Sequence, residues 1–319
     1  ICAETSSEGS TAPALFGRIA AAGESEQEIK MEKYIDLHLH TNYSDGEDSP
    51  QALLDKAIAA KLHTIAFTVH GTVKGISEAI KYGQGKIKII SGIELSCDEP
   101  ELGIVDIHIL GLFIDYQNKT LLAWLTKAKI ATVRHKELIV RKLNQSGFAI
   151  SIQDAAKFTQ GEVGRPHIAK ALMEKYPDRF ENVQQVFDEY LGEGKAAYVP
   201  AVHRTGIAPV IEIIHRAGGV AILAHPGYFD QVKFKKIISL FINKGGDGLE
   251  AYYVYGKHPM SKSGTETNQY MRSFAHDKRL LLSGGSDYHG SFKAGKVGDA
   301  KVPYSVLYGL QKRAEQYKL

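Results

Sequence analysis

The chain has 319 residues, 44% hydrophobic and 24% charged, enough for one large α/β domain or two modest ones with a full apolar core. A net charge of +3 is too mild for a basic nucleic-acid footprint, so any anionic partner has to be argued from a site. Cys2 and Cys97 are the only cysteines, which excludes a disulfide framework and a thiolate zinc cluster and suits a reducing, cytoplasmic setting, and no apolar run reaches the roughly 18–20 residues of a membrane span.

Residues 1–33 precede the first strand. They are small, polar and acidic, and their apolar patch APALFGRIAAAG is broken by Arg18 and lacks the shape of a secretory signal. They are expected to be a disordered or non-native extension, with a short structured arm as the alternative.

From Tyr34 to Gly46 the chain reads YIDLHLHTNYSDG. Ile35, Leu37 and Leu39 alternate with Asp36, His38 and His40, so in a β-strand the apolar side chains take one face and the polar ones the other. His38 and His40 then leave the strand side by side, either to place two imidazole nitrogens on one metal ion or to sit solvated on an edge strand. Asp45 follows on a Ser-Asp-Gly turn from which a carboxylate can swing back toward them.

Ser49 and Pro50 then signal a helix start, as N-cap and first helical residue, into QALLDKAIAAKL. TIAFTVH, IKIISGIEL and IVDIHILGLFI read as strands, with TVKGISEAIKYG as a helix between the first two, and the alternation predicts a parallel sheet covered by helices. The strands stop over 118–197, where LLAWLTKAKIATVRHKELIVRKLNQSGF reads as a long helix closed by Gly147 and is followed by further helices. This predicts a helical insertion dividing a barrel into 34–117 and 198–319. The rhythm resumes with helix IAPVIEIIHRAGG and strand VAILAH, then strands GLEAYY and LLLSGGSDYH with helices between them, and a last helix over 304–317. The count is seven strands.

Nearly every strand ends in a metal-competent residue: His38 and His40, His70, Glu94, His108, His225, and Asp287 with His289. In a β/α barrel the C-terminal strand ends face one mouth, where these residues and Asp45 would converge. A lone histidine is ordinarily a packing or surface residue. Six histidines and three carboxylates at one end of successive strands instead predict a site. His63, His135, His203, His215, His258 and His276 lie in helices or loops and are read as structural. Nine ligands exceed what one ion takes and suit two or three divalent ions bridged by a shared carboxylate, for which Glu94 is the central candidate. Imidazole and carboxylate donors without thiolate favour Mn, Fe or Zn in a catalytic role. Such a centre supplies a metal-bound hydroxide and clamps phosphoryl oxygens, the chemistry of phosphoester hydrolysis.

The segments DLHLHTNYSDG, GIELS, HILGL, GRPHIAKAL, AGGVAILAHPG, GLEAYY and GGSDYHG, in this order over residues 34–290, resemble the motif series of the polymerase and histidinol phosphatase (PHP) family. They are most similar to its stand-alone metal-dependent phosphoesterases, which act on nucleoside 3′,5′-bisphosphates and on 5′ ends of short oligonucleotides. The resemblance implies a distorted (β/α)7 barrel, TIM-like, with a helical insertion domain and a trinuclear site. His38, His40, Glu94 and Asp287 would hold one ion, Glu94, His108 and His225 a second, and Asp45, His70 and His289 a third. It also implies that the insertion's RPH motif faces substrate phosphate. Arg165 offers a planar donor fork for it, although composition alone leaves a solvated arginine on a capped helix, and His167 is a second contact and the candidate proton donor to the leaving oxygen.

The chain departs from the family's Thr-Asp-His-Asp-Thr at Thr68-Val69-His70-Gly71-Thr72. Carboxylates that orient ligand histidines are typically worth about 10–100-fold in affinity or activity, so the third ion is expected to be weak or absent. The expected function is a cytoplasmic phosphoesterase of nucleotides or short oligonucleotides. No long basic track with interleaved aromatics speaks for duplex nucleic acid, and no segment for a membrane. The alternatives are a histidinol-phosphate phosphatase, against which GRPHIAKAL speaks, and a metal-weakened binding or regulatory protein, motivated by Val69 and Gly71. Tyr252, Tyr253 and Tyr288 lie near the expected mouth, either to stack on a base or to pack.

Overall fold

The computed structural model describes residues 33–159, 161, 163–199, 205–255, 263–291, 293 and 295–318. The expected extension therefore lies outside the described residues apart from Lys33, as do His203 and His258. The first barrel segment comprises β1 (Tyr34–Leu39), α1 (Pro50–Ala59), β2 (Thr64–Phe67), α2 (Ile76–Gly83), β3 (Lys88–Glu99) and β4 (Ile104–Leu112). Helices α3 (Lys119–Gln145), α4 (Ile152–Ala156), α5 (Arg165–Lys175) and α6 (Val183–Val186) follow. The chain returns through α7 (Ile207–Arg216), β5 (Val220–Leu223), α8 (Gln231–Asn243), β6 (Gly248–Tyr253), α9 (Gly264–Lys278), β7 (Leu281–Gly285), β8 (Val302–Pro303) and α10 (Val306–Tyr317).

The strands form one sheet in the order β7-β6-β5-β4-β3-β2-β1-β8. It curls until β7 meets β1: the Asp287 N–H donates to His38 O at 2.9 Å and the His40 N–H to Tyr288 O at 3.1 Å. The result is a nearly closed, distorted TIM-like barrel with helices packed on its outer face. Closure buries β1 on both faces, and His38 and His40 have no exposed surface, so the solvated edge-strand reading of this segment does not hold.

Two features differ from the alternation expected of the sequence. β4 runs antiparallel to both β3 and β5, because only Pro100 to Gly103 separate it from β3 and a parallel crossover needs about a dozen residues. An eighth strand, β8, pairs antiparallel with β1. It is two residues long, too short for any periodicity to reveal it.

Helix ends follow the local chemistry. Ser49 Oγ accepts the Ala52 N–H at 3.2 Å with Pro50 opening α1, and Asn118 Oδ1 accepts the Leu121 N–H at 3.0 Å at the start of α3. Gly147, just past α3, takes φ +94°, a conformation that L side chains rarely adopt. α3 belongs to two cores. Its first turns bury Leu121 and Leu125 among Ile211, Ile214 and Phe234, and its last turns bury Ile139, Val140 and Leu143 among Ile168, Leu172 and Leu191.

The helical segment is pinned to the loop that follows β1. Thr159 Oγ1 donates to Ser44 O at 2.9 Å, and a Cβ placed on Gly161 would lie 1.6 Å from Tyr43 O. Gly161→Ala is therefore expected to lower stability by about 1–3 kcal/mol through forced backbone movement. It should also loosen metal uptake, because Asp45 rides on the displaced loop. An unchanged denaturant midpoint together with unchanged metal content would contradict this.

Candidate metal centre

The strand ends of β1, β2, β5 and β7, the middle of β3 and the middle of β4 bring all nine expected ligands together. His38 and Glu94 are fully or almost fully buried, whereas His70 is 27% exposed at the rim. Because β4 runs against its neighbours, His108 reaches the site from mid-strand, opposite Ser96 of β3, and not from a C-terminal strand end.

Glu94 is the hub. Its Oε2 lies 3.1 Å from His40 Nε2, 3.2 Å from His38 Nε2 and 3.2 Å from His70 Nδ1. Its Oε1 lies 2.9 Å from His108 Nδ1 and 3.2 Å from His225 Nε2. Asp287 Oδ1 stands 3.3 Å from His38 Nε2 and 3.2 Å from His40 Nε2, and Asp45 reaches His289 Nε2 at 3.4 Å and His70 Nε2 at 3.8 Å. Three donor sets are close enough for one ion each: His38, His40, Glu94 and Asp287; His40, Asp45, His70 and His289; and His70, Glu94 and His108. The first is the set the family resemblance implies. The other two share His40 and His70 with neighbouring sets, while His225 touches the hub from the far side.

These groups fit divalent cations better than they fit one another. His38 Nδ1 meets Glu250 Oε1 at 3.0 Å, which places its proton there and leaves Nε2 bare, yet Nε2 faces His40 Nε2 at 3.1 Å. Among the described residues, His40 Nδ1, Glu94 Oε2 and His108 Nδ1 are buried without a hydrogen-bond partner. Burial pushes the Glu94 carboxyl up, but the imidazoles of His70, His38 and His108 hold it well below the usual carboxylate range. Burial pushes the His70 imidazole down to about 3, keeping it in the neutral form a metal requires. His225 and Asp287 take positive φ of 30° and 52°, backbone strain of the kind found at functional sites.

Several participants escaped the sequence reading. Glu250 accepts from His38 Nδ1 and, at 2.7 Å, from the His225 N–H, orienting two candidate ligands at once. Its signal was an acid in the middle of the otherwise apolar strand GLEAYY. The Tyr253 hydroxyl donates to Asp287 Oδ2 at 2.6 Å, and Lys293 also contacts that carboxylate. Tyr253 and Tyr288 are thus engaged by protein groups, Tyr288 through Lys56 Nζ at 2.7 Å, and Tyr252 lies against Arg272. This favours packing over base stacking for all three.

A cleft of about 530 Å³ opens over the centre. Its floor includes Asp45, His70, His108 and His289, and its walls include Trp124, Lys127 and Thr132 of α3, Arg165 of α5, and Lys293. Arg165 stands at the first position of α5 and donates to Asp106 Oδ2 at 3.1 Å. His167 does not join the cleft: it is 1% exposed, and its Nδ1 accepts the Gly164 N–H at 2.8 Å, so it closes the start of α5. α5 accordingly begins at Arg165. Among the described residues no helix is long and apolar enough to cross a membrane.

At His70 the flanking positions leave room for repair. Val69 is buried, but Gly71 has φ +62°, lines the cleft, and has open space for 4 Å around the point where a Cβ would stand. Asp tolerates the left-handed conformation better than most residues. Gly71→Asp is expected to fold at a cost of about 1 kcal/mol and to tighten the weakest-bound metal equivalent about tenfold. Unchanged affinity in a metal titration would show that the second acid is dispensable here.

A barrel whose mouth gathers imidazoles around one central carboxylate defines a class of metal-dependent hydrolases. The chain belongs to the PHP domain family, which it matches over residues 36–238. It is 34% identical over 264 residues to a 5′-3′ exoribonuclease of Haemophilus influenzae, an alignment covering 81% of this chain and 91% of that protein. It is 29% identical over 271 residues to a 3′,5′-nucleoside bisphosphate phosphatase of Chromobacterium violaceum, covering 82% and 89%. A solved structure from Bifidobacterium adolescentis, a proposed metal-dependent phosphoesterase, superposes with a TM-score of 0.76 at 26% identity over 88% of this chain and 96% of that one.

Proposed function

We propose that this protein is a cytoplasmic metal-dependent phosphoesterase that releases phosphate from nucleoside 3′,5′-bisphosphates or nucleotides from the 5′ ends of short oligonucleotides. The observation that carries the reading is Glu94 Oε2, buried among three imidazole nitrogens without a hydrogen bond, one of which belongs to His70 on the floor of a cleft walled by Arg165, Lys127 and Lys293. His38, His40, Asp45, His70, Glu94, His108, His225, Asp287 and His289 would hold two or three divalent ions of Mn, Fe or Zn. When bound, such ions activate water and neutralise phosphoryl oxygens.

The chain's own residues do the rest. Arg165 binds substrate phosphate through its guanidinium fork, and His167, by accepting the Gly164 N–H, sets the helix start from which Arg165 projects. The segment 118–197 acts as the insertion that closes over the cleft, and its α3 wall, carrying Trp124 and Lys127, meets the nucleoside part of the substrate. A cleft of this volume suits a nucleotide or a short strand end and is too small for a duplex.

Metal analysis of the purified protein, paired with phosphate release from adenosine 3′,5′-bisphosphate, a short 5′-phosphorylated oligoribonucleotide and histidinol phosphate, tests the reading. Two or three equivalents of metal and chelator-sensitive release from the first two substrates are expected. Faster turnover of histidinol phosphate, or full metal occupancy with no release from any of the three, would overturn it.

A further inference from the structure

We propose that Asp106 is a positioning residue that ties a metal ligand and the phosphate-binding arginine to one carboxylate. The inference rests on the phosphoesterase reading above and assigns a residue that the sequence reading passed over. It begins with the backbone. The β3–β4 hairpin loses regular register between Cys97 and Glu99, and Asp98 Oδ1 there accepts the N–H of Asp106 at 2.7 Å. Asp106 itself takes φ +62° inside a strand, a conformation seldom adopted by a residue with a side chain and retained where the surroundings enforce it.

The consequence is where the carboxylate goes. Asp106 Oδ1 lies 3.3 Å from His108 Nε2, and Oδ2 accepts from Arg165 Nη2 at 3.1 Å. An ionised carboxylate only accepts hydrogen bonds, and of the two ring nitrogens it is Nε2, facing Asp106, that has hydrogen-bond geometry, so a neutral His108 that gives Nδ1 to a metal ion would carry its proton on Nε2. That leaves Nδ1 bare, and Nδ1 is the atom that stands 2.9 Å from Glu94 Oε1 and lacks a hydrogen-bond partner. Asp106 thus selects the tautomer that turns the lone pair of His108 toward the centre. On its other side it holds one arm of a guanidinium that is 28% exposed and lines the cleft. The remaining N–H groups of Arg165 stay available to an anion, which meets an arginine already oriented. One side chain from the barrel hairpin therefore sets both the metal ligand and the insertion's phosphate contact.

Asp106→Gly removes the carboxylate and accepts φ +62° without strain, and Asp106→Asn keeps the shape and removes the charge. Both are compared with the parent protein for Mn²⁺ binding after chelator stripping, for binding of inorganic phosphate to the Mn²⁺-loaded form, and for kcat and KM on adenosine 3′,5′-bisphosphate. The expected result is a loss of about 10–100-fold in affinity for one Mn²⁺ equivalent in the glycine variant, with a smaller loss for asparagine. Saturating Mn²⁺ should restore kcat and leave KM and the phosphate Kd raised several-fold. The effect of Asp106→Gly on phosphate binding should shrink when Arg165 is already alanine.

Mn²⁺ and phosphate affinities within about twofold of the parent in both variants would overturn the proposal, as would a phosphate defect that persists unchanged in the Arg165→Ala background. Should the glycine variant fail to fold, the asparagine variant decides on the same readouts. If the parent protein binds Mn²⁺ and phosphate and hydrolyses no nucleotide, the substrate reading fails, and the two binding comparisons still decide the role of Asp106.

Discussion

Glu94→Gln is expected to reduce phosphoester hydrolysis by more than about 100-fold and to lower the metal content of the purified protein. Losing a residue that merely orients a ligand typically costs about 10–100-fold, and Glu94 stands at the hub itself. Its two oxygens meet His38, His40 and His70 on one side and His108 and His225 on the other, so one carboxylate serves every donor set except that of Asp45 and His289. Glutamine has the same shape and keeps the backbone pairing of β3 with β4. It brings no negative charge, and its amide presents a donor to imidazole nitrogens that must stay unprotonated to bind metal. Metal content by elemental analysis and turnover at saturating Mn²⁺ check this together. A variant retaining full metal and a rate within a few-fold of the parent would remove Glu94 from the centre.

Asp247→Ala should cost about 3 kcal/mol of stability and leave kcat and KM unchanged, because it lies at the opposite end of the barrel. Asp247 is 3% exposed and precedes β6, where it receives the Ala221 N–H at 2.9 Å, His215 Nε2 at 2.8 Å, Arg313 Nη1 at 2.6 Å and the Tyr317 hydroxyl at 2.8 Å. It therefore joins α7, β5, β6 and α10. Removing it strands a buried N–H and three cationic or polar side chains, each loss worth on the order of 1 kcal/mol or more.

The pH dependence has a definite sign. Burial pushes the Asp247 carboxyl up, but the hydrogen bonds from His215, the Ala221 N–H and Tyr317 hold it below the ordinary carboxylate value. A folded pKa below the unfolded one stabilises the fold above about pH 4, and that stability is lost as pH falls through the lowered value. Denaturant midpoints measured from pH 3 to 7 should show a shallower acid limb for Asp247→Asn than for the parent. Parallel curves would show that this carboxylate is not a source of the acid sensitivity.

Much of the site was legible because its residue types are rare in strands and sit at fixed offsets. His38 and His40 at a two-residue spacing, His70, His225 and Asp287 with His289 each follow an apolar strand segment, so a period-two pattern and a barrel were enough to send them to one mouth. Glu94 was the central candidate because it lies in the middle of the set. The long α3 and the caps at Ser49 and Asn118 were equally local, since a helix and its ends are decided by side chains within a few residues.

Other features needed the folded chain. Strand direction depends on how far the connection must travel, and the turn after β3 reverses β4, so His108 arrives from mid-strand. The partners that orient the ligands come from distant segments: Glu250 is 212 positions from His38, and Arg165 is 59 from Asp106. No local pattern encodes such pairs. His167 shows the converse, since its motif led to the expectation of a contact with substrate while its ring turns inward to close the start of α5. The sequence by itself therefore determined the barrel class, the convergence of the nine candidate ligands and the helical character of 118–197, because periodicity and residue chemistry act over short distances. Tertiary structure alone decided strand direction, closure of β7 against β1, and which carboxylate orients each imidazole, because those follow from contacts between segments far apart in the chain.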